Sequence, residues 1–194
     1  MPGVLYSAKK RHVMIDSRKR LFSLTILLAC FIACSTLGIA QVLTPQDSVR
    51  KFVQEFYDWY GIISHKNSKI APDVRAITEK AKMFSPKLIV ALKEDYEASS
   101  KHPEEIVGLD WDPFLCSQEL EDRYQVGDIK KQGKNYLIEL YGVSGGKRNP
   151  EPNVIAEVAQ IGTQWIFVNF RSPHGGDMQS DLKKLKQIRN KSHK

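Results

Sequence analysis

The sequence predicts an α+β domain, with N-terminal helices packed on one face of a curved antiparallel sheet of about four strands and a signal or anchor helix in front. Three observations predict it. Residues 44–96 place apolar side chains at steps of three and four, the helical period, and from Tyr124 the step falls to two, the strand period. Ahead of both, a basic head meets an uncharged run. Helices followed by a meander of strands bury their apolar faces only against each other, in two layers.

The leading segment comes first in the chain. Lys9, Lys10, Arg11, Arg18, Lys19 and Arg20 precede the uncharged run Leu21 to Ala40, and Gly38-Ile-Ala40 supplies small residues before Gln41. This is the pattern of a secretory signal peptide over residues 1–40, with Met14 an equally good start. Uncleaved, the run is long enough for an anchor with its basic head inside, because a spanning helix needs roughly 20 apolar residues. Cys30 and Cys34 loosely resemble a lipobox, though no polar linker follows them. Each alternative exports the domain to a periplasmic, secreted or outward-facing membrane-anchored place.

Export changes how the charge is understood. The chain of 194 residues has 29 basic and 22 acidic residues, a net +7. Residues 1–40 hold six of the basic residues and one acid, leaving 23 against 21 from Gln41 onward. The basic excess is mostly targeting signal, so no nucleic-acid partner is implied. Cys116 is the lone cysteine after Cys34, so neither an intramolecular disulfide nor a cysteine metal cluster is expected in the domain.

Residues 41–172 form the predicted domain. Thr44 suits the N-cap of the first helix, Pro45 its first position, and Asp47 its positive end. Val49, Phe52, Phe56, Trp59, Tyr60 and Ile63 form its apolar stripe, with Arg50, Gln54 and Asp58 on the other side. Asp73 caps a short second helix. Ser85 caps a third, with Pro86 in its first turn, Phe84 stapling onto Ile89, and Leu88, Leu92 and Tyr96 on the buried side.

Four strands follow, at 124–131, 135–143, 154–161 and 164–171, with hairpin signals at Gly133-Lys134 and Gly162-Thr163. In the last strand Trp165, Phe167 and Asn169 face one way, and Ile166, Val168 and Phe170 the other. Residues 142–153 read as an exposed loop. Residues 173–194 are a basic tail with a short helix in which Leu182, Leu185 and Ile188 dock weakly and the end frays. Its lysines and Arg189 offer a possible contact to anionic headgroups or an acidic partner.

Pointed chemistry collects between the two halves, in Gly108-Leu-Asp-Trp-Asp-Pro-Phe-Leu-Cys-Ser-Gln118. In structural terms, Asp112 caps a short helix at Pro113, Trp111 and Phe114 plug the joint, and Gln118 bonds exposed backbone. A ligand mouth lined by Trp111, Phe114 and Gln118 is the functional counterpart. Asp110 and Asp112 supply hard oxygens for a calcium-type site, but the run lacks the further carboxylates and glycine of an EF-hand loop, and neither a metal nor a cofactor is expected.

Val49-Arg-Lys-Phe with Phe56-Tyr-Asp-Trp-Tyr60, Phe84-Ser-Pro-Lys-Leu88, Asp110-Trp-Asp-Pro-Phe114 with Gln118, and a closing strand with Trp165 together resemble a family of exported bacterial proteins, domain of unknown function 3828. The resemblance spans 46–170. It implies a fold similar to the nuclear-transport-factor-2-like (cystatin-like) superfamily, in which helices clasp a bent sheet around a conical cavity. One member is an envelope lipoprotein, which implies association with envelope assemblies. It supplies no catalytic residues.

Two functions remain open at this level. One is a non-enzymatic envelope binding or scaffold module for a protein partner or a small apolar ligand, with Tyr57 and Trp59 at a rim and Asp110, Trp111, Asp112, Phe114 and Gln118 at a mouth. The other is a small hydrolase, isomerase or dehydratase using the cavity, with a base drawn from His65, His102, His174, Asp110 or Asp112. No His-Glu-x-x-His or Gly-x-Ser-x-Gly motif is present.

Overall fold

A computed structural model describes residues 44–102 and 104–192. The signal, anchor and lipobox expectations for residues 1–40 lie outside the described residues. So do the last two residues of the tail.

The described residues form α1 (Pro45–Ser64), α2 (Pro72–Glu79), a 3-10 turn (Ala81–Met83), α3 (Pro86–Lys101), β1 (Arg123–Gln132), β2 (Asn135–Ser144), β3 (Lys147–Arg148), β4 (Val154–Ile161), β5 (Gln164–Arg171) and α4 (Met178–Ser192). This is the expected α+β class. The sheet is antiparallel and open, in the order β1-β2-β4-β5, with β3 pairing only to the end of β2. β3 lies within the expected loop 142–153, where Gly145 and Gly146 take positive φ and turn the chain back.

The helix starts follow their local chemistry. Thr44 Oγ1 accepts from Asp47 N at 3.1 Å, and Ser85 Oγ from Leu88 N at 3.3 Å. α2 differs: its N-cap is Ala71, and Asp73 lies inside the first turn instead of capping it. Proline at the first position starts the helix without a side-chain cap, because that residue has no N–H to satisfy.

The core lies between α1 and the sheet. Val49, Val53, Phe56, Tyr57, Tyr60 and Ile63 of α1 meet Phe84, Phe114, Ile138, Leu140, Phe167 and Phe170. Phe56 sits at the middle, with ring centroids 4.9 Å from Phe167, 5.5 Å from Phe84 and Tyr60, and 5.7 Å from Phe114. The space expected as a conical cavity is filled here by aromatic rings.

Two irregularities re-aim side chains. Between Glu157 and Val158 the β4–β5 register slips, so Glu157 faces Asn169 while Val158 faces Phe167. Phe167 and Phe170, three residues apart, therefore share the core side, with rings 5.2 Å apart. The expected alternation, with Phe170 opposite Phe167, fails because one residue is inserted. Asn169 instead turns toward the start of α4, donating to Asp177 Oδ1 at 2.7 Å and accepting from Gln179 N at 3.1 Å.

The other slip falls between Val126 and Ile129 in edge strand β1. Here the side of α1 that carries Arg50 and Gln54 meets the backbone of β1. Gln54 Nε2 donates to Tyr124 O at 2.9 Å, Gln54 Oε1 accepts from Val126 N at 2.9 Å, and Arg50 Nη1 donates to Val126 O at 3.1 Å. Buried strand-edge backbone needs partners, and helix side chains supply them.

α3 also rotates away from expectation. Leu88, Leu92 and Asp95 face inward, and Tyr96 is 46% exposed. A buried carboxylate occupies the place where an apolar stripe predicts a tyrosine. α4 packs on α3 and β5 through Met178 and Leu182, so over its described residues the basic tail is an anchored helix and not a frayed end.

Removing the Gln54 clip should expose its worth. Gln54→Ala leaves the Val126 N–H and the Tyr124 carbonyl without their partner, and should cost about 1–3 kcal/mol in urea denaturation. Lys51→Ala, one turn earlier on an exposed face, should stay within about 0.5 kcal/mol. Equal effects would show that the clip carries no stability.

Candidate functional site

The joint loop from Gly108 to Gln118 is built around one carboxylate. Asp112 Oδ1 accepts from Phe114 N at 2.9 Å and Leu115 N at 3.2 Å, and its Oδ2 accepts from the Tyr60 hydroxyl at 2.5 Å. Asp112 also bridges to Ser117, with Asp112 N donating to Ser117 O at 3.0 Å. The expected helix at Pro113 is therefore a tight turn closed on itself, in which Cys116 takes a left-handed φ of 50°. Gln118 Nε2 donates to Asp110 O at 2.8 Å, the backbone role expected of it.

Burial sets the charge behaviour of this joint. It raises the Asp112 carboxyl from 3.8 to about 6, against the opposing pull of the Tyr60 hydroxyl and the Phe114 and Leu115 N–H groups, while the charge of Asp73 adds to the rise. Burial also holds the Tyr60 phenol far above its usual value, helped by the Asp112 charge. The Cys116 thiol is pushed up to about 12, again by burial first, which makes it a poor nucleophile.

The predicted site residues divide into three groups. Tyr57 is 1% exposed, and its hydroxyl donates to Phe114 O at 2.7 Å, so it is core and not rim. Helix residues three and four apart share a face, so Tyr57 lies with Val53 and Tyr60 and points inward. Phe114 is fully buried beside it, and Asp112, half-buried, is tied to the same cluster through the Tyr60 hydroxyl. Trp59 is half-buried at the edge of the core, its ring centre 6.0 Å from that of Phe56 and 6.3 Å from that of Tyr60, with Lys80 Nζ 5.1 Å away. Asp110, Trp111 and Gln118 stay at the surface of the loop, with Trp111 half-buried and the other two exposed.

Trp111 lines a cleft of about 110 Å³ that the sequence did not reveal. Its other walls are Asp73 and Ile77 of α2, Leu92, Asp95, Tyr96 and Ser99 of α3, and Leu109 and Pro113 of the joint loop. Asp95, 4% exposed, holds the wall together. It accepts from Leu109 N at 2.8 Å and from Arg189 Nη1 at 2.6 Å, and that same nitrogen donates to Val107 O at 2.7 Å. Gly108 allows the close approach, since a Cβ there would meet Ser99 Oγ and lie 2.7 Å from Asp95 Oδ2. The only sequence signal for Asp95 and Arg189 was a charge at a helical step within each pattern, which solvent-facing residues share.

Among the described residues no group of three or more His, Cys, Asp or Glu side chains is placed to hold a metal ion. His65, His102 and His174 are all exposed, and His65 Nε2 lies 2.9 Å from Glu121 O. No helix of the described residues is long and apolar enough to cross a membrane.

No protein-family model matches the chain, and no curated protein matches it. The resemblance to domain of unknown function 3828 therefore gains no support. A chain from the crystal structure of the type VI native effector–immunity complex Tae3–Tai3 from Ralstonia pickettii is similar at 17% identity and a TM-score of 0.46, covering 67% of this chain and 95% of that one. A likeness at that level does not bear on activity or partners.

Two measurements check this geometry. Asp112 keeps its proton to higher pH in the folded than in the unfolded chain. Its stabilising contribution is thus complete below 3.8 and lost as the pH rises through about 6, on the order of 3 kcal/mol. Asp112→Asn should remove that component, visible as the difference between variant and parent stability curves over about pH 4 to 7. Parallel curves would assign the slope elsewhere. Separately, Arg189→Ala strands a buried carboxylate and should cost about 3–5 kcal/mol, whereas Lys186→Ala, in an exposed pair with Glu94, should cost under about 1 kcal/mol.

Proposed function

We propose that this chain is an exported cell-envelope binding module without chemistry of its own, and that it takes a protein partner at the surface of the joint loop in preference to an apolar small molecule inside. The observation that supports this reading is the filled interior. Phe56, Tyr57, Tyr60, Phe84, Phe114, Phe167 and Phe170 occupy the space where a ligand-carrying relative of this architecture would hold its cargo. Recognition then falls to the surface, where Trp111, Asp110 and Gln118 are presented on a loop braced from beneath by Asp112 and Tyr60.

Export rests on the basic head and uncharged run of residues 1–40. The cavity-enzyme alternative needs a histidine and a carboxylate converging in an interior space. Among the described residues the exposed histidines give it no observation in favour.

Native mass spectrometry of the protein, purified gently from its own envelope, tests the proposal. The expected result is a chain that has lost residues 1–40 and carries a stoichiometric protein partner, released by substitution of Trp111 with Ala. A retained apolar small molecule would overturn the partner reading, and a mass that includes residues 21–40 would overturn cleavage.

A further inference from the structure

The cleft beside Trp111 has a composition that its structural role does not explain. Its walls pair two aromatic side chains, Tyr96 and Trp111, with the aliphatic Ile77, Leu92 and Leu109. Two carboxylates also line it. Asp95 has both oxygens engaged, by Arg189 and by Leu109 N. Asp73 makes no ion pair among the described residues, although it is partly buried.

The neighbouring charges make Asp73 stranger. Among the described residues no cation lines the cleft: Arg75, on the same helix as Asp73, is committed to Glu79 at 2.7 Å, and Arg189 of α4 to Asp95 at 2.6 Å. Close by, Asp112 feels Asp73 as a like charge. Burial raises the Asp73 carboxyl, and only the N–H groups of Val74 and of Asp73 itself oppose that rise. A partly desolvated carboxylate facing another carboxylate, with no cation supplied from the described residues, is a place where a cation from outside gains most.

The walls say which cation. A hard metal ion requires several oxygen ligands, and Asp73 is the one lining carboxylate with oxygens to offer. A volume of about 110 Å³ also exceeds by several-fold the ~10–15 Å³ that one water needs. An organic cation with a flat, weakly hydrated face suits aromatic walls, through cation–π contact, and one carboxylate, through a forked hydrogen bond.

We propose that the cleft between α2, α3 and the joint loop is a receptor for a guanidinium group, the arginine side chain of a partner polypeptide, held by Asp73 against Trp111 and Tyr96. The arginine's source in a polypeptide rests on the partner-binding reading above; the recognition of guanidinium does not. Trp111 is the wall, Asp73 the counter-ion, and the Asp95–Arg189 pair keeps the loop closed over α3. Arg189 does not line the cleft; it engages Asp95 and leaves Asp73 as the lining carboxylate without an ion pair among the described residues.

The test uses the full chain and ¹H–¹⁵N NMR at fixed ionic strength, following the indole N–H of Trp111. The probes are N-acetyl-arginine methylamide, its uncharged citrulline counterpart, free arginine, and a tetrapeptide with a central arginine. The arginine amide should give a saturable shift at Trp111, and the citrulline amide should bind at least tenfold more weakly. Asp73→Asn should weaken the arginine amide about tenfold, while Asp128→Asn, an exposed carboxylate elsewhere, should not. Thermal melts of both variants confirm that they are folded.

No saturable shift, equal binding of the citrulline amide, or an unaffected Asp73→Asn would each overturn the guanidinium receptor. Tighter binding of the tetrapeptide than of free arginine supports a polypeptide source, and the reverse order overturns it. A protein partner found in the envelope with no probe binding would leave the module reading intact and remove this cleft from it.

Discussion

The fold depends on burying one face of α1. Seven buried residues of that helix turn to the sheet, and Phe56 alone touches rings from α1, the segment before α3, the joint loop and β5. Each aromatic side chain removes a large apolar area from water, and no single neighbouring element is wide enough to accept them all. The sheet, the turn around Phe84 and the joint loop are therefore held to α1 by the same set of contacts.

Burying tyrosines imposes a second condition, because their hydroxyls need partners. Tyr57 finds the Phe114 carbonyl and Tyr60 the Asp112 carboxylate, and both partners lie in the joint loop. The loop's shape is thus a consequence of core chemistry. Its turn is drawn against α1 from one side and pinned to α3 from the other, through Asp95 and Leu109. Its outer surface carries Asp110 and Gln118, joined by a hydrogen bond, and Trp111, half-buried at the wall of the cleft.

Much of the architecture was legible because periodicity and capping are local. Thr44-Pro45 and Ser85-Pro86 mark their helix starts by chemistry within three residues, and Gly133 and Gly162 occupy the positive-φ positions of their hairpins. The errors share another cause. Gln54 and Arg50 look solvent-facing on a helical wheel, yet they serve the backbone of a strand about seventy residues away. Tyr57 looked like a rim because its hydroxyl counts as polar until a buried acceptor is known. Phe170 fell on the wrong face because a one-residue slip in pairing leaves no mark in a single strand.

The candidate site was half legible for the same reason. Its loop stands out by composition, and Asp112 as a backbone-binding carboxylate follows from its neighbours alone. The cleft needs three segments to meet, and the buried Asp95–Arg189 pair joins residues 94 apart. Sequence by itself determined the fold class, the starts of α1 and α3 and the β1–β2 and β4–β5 hairpins, because those are decided by dihedral preference and by which residues avoid water within a few positions. Tertiary structure decided which charges are buried, which tyrosine is core, and where a cleft with one unpaired carboxylate opens. Those outcomes depend on distance in space and on desolvation, which arise only when distant segments close on each other.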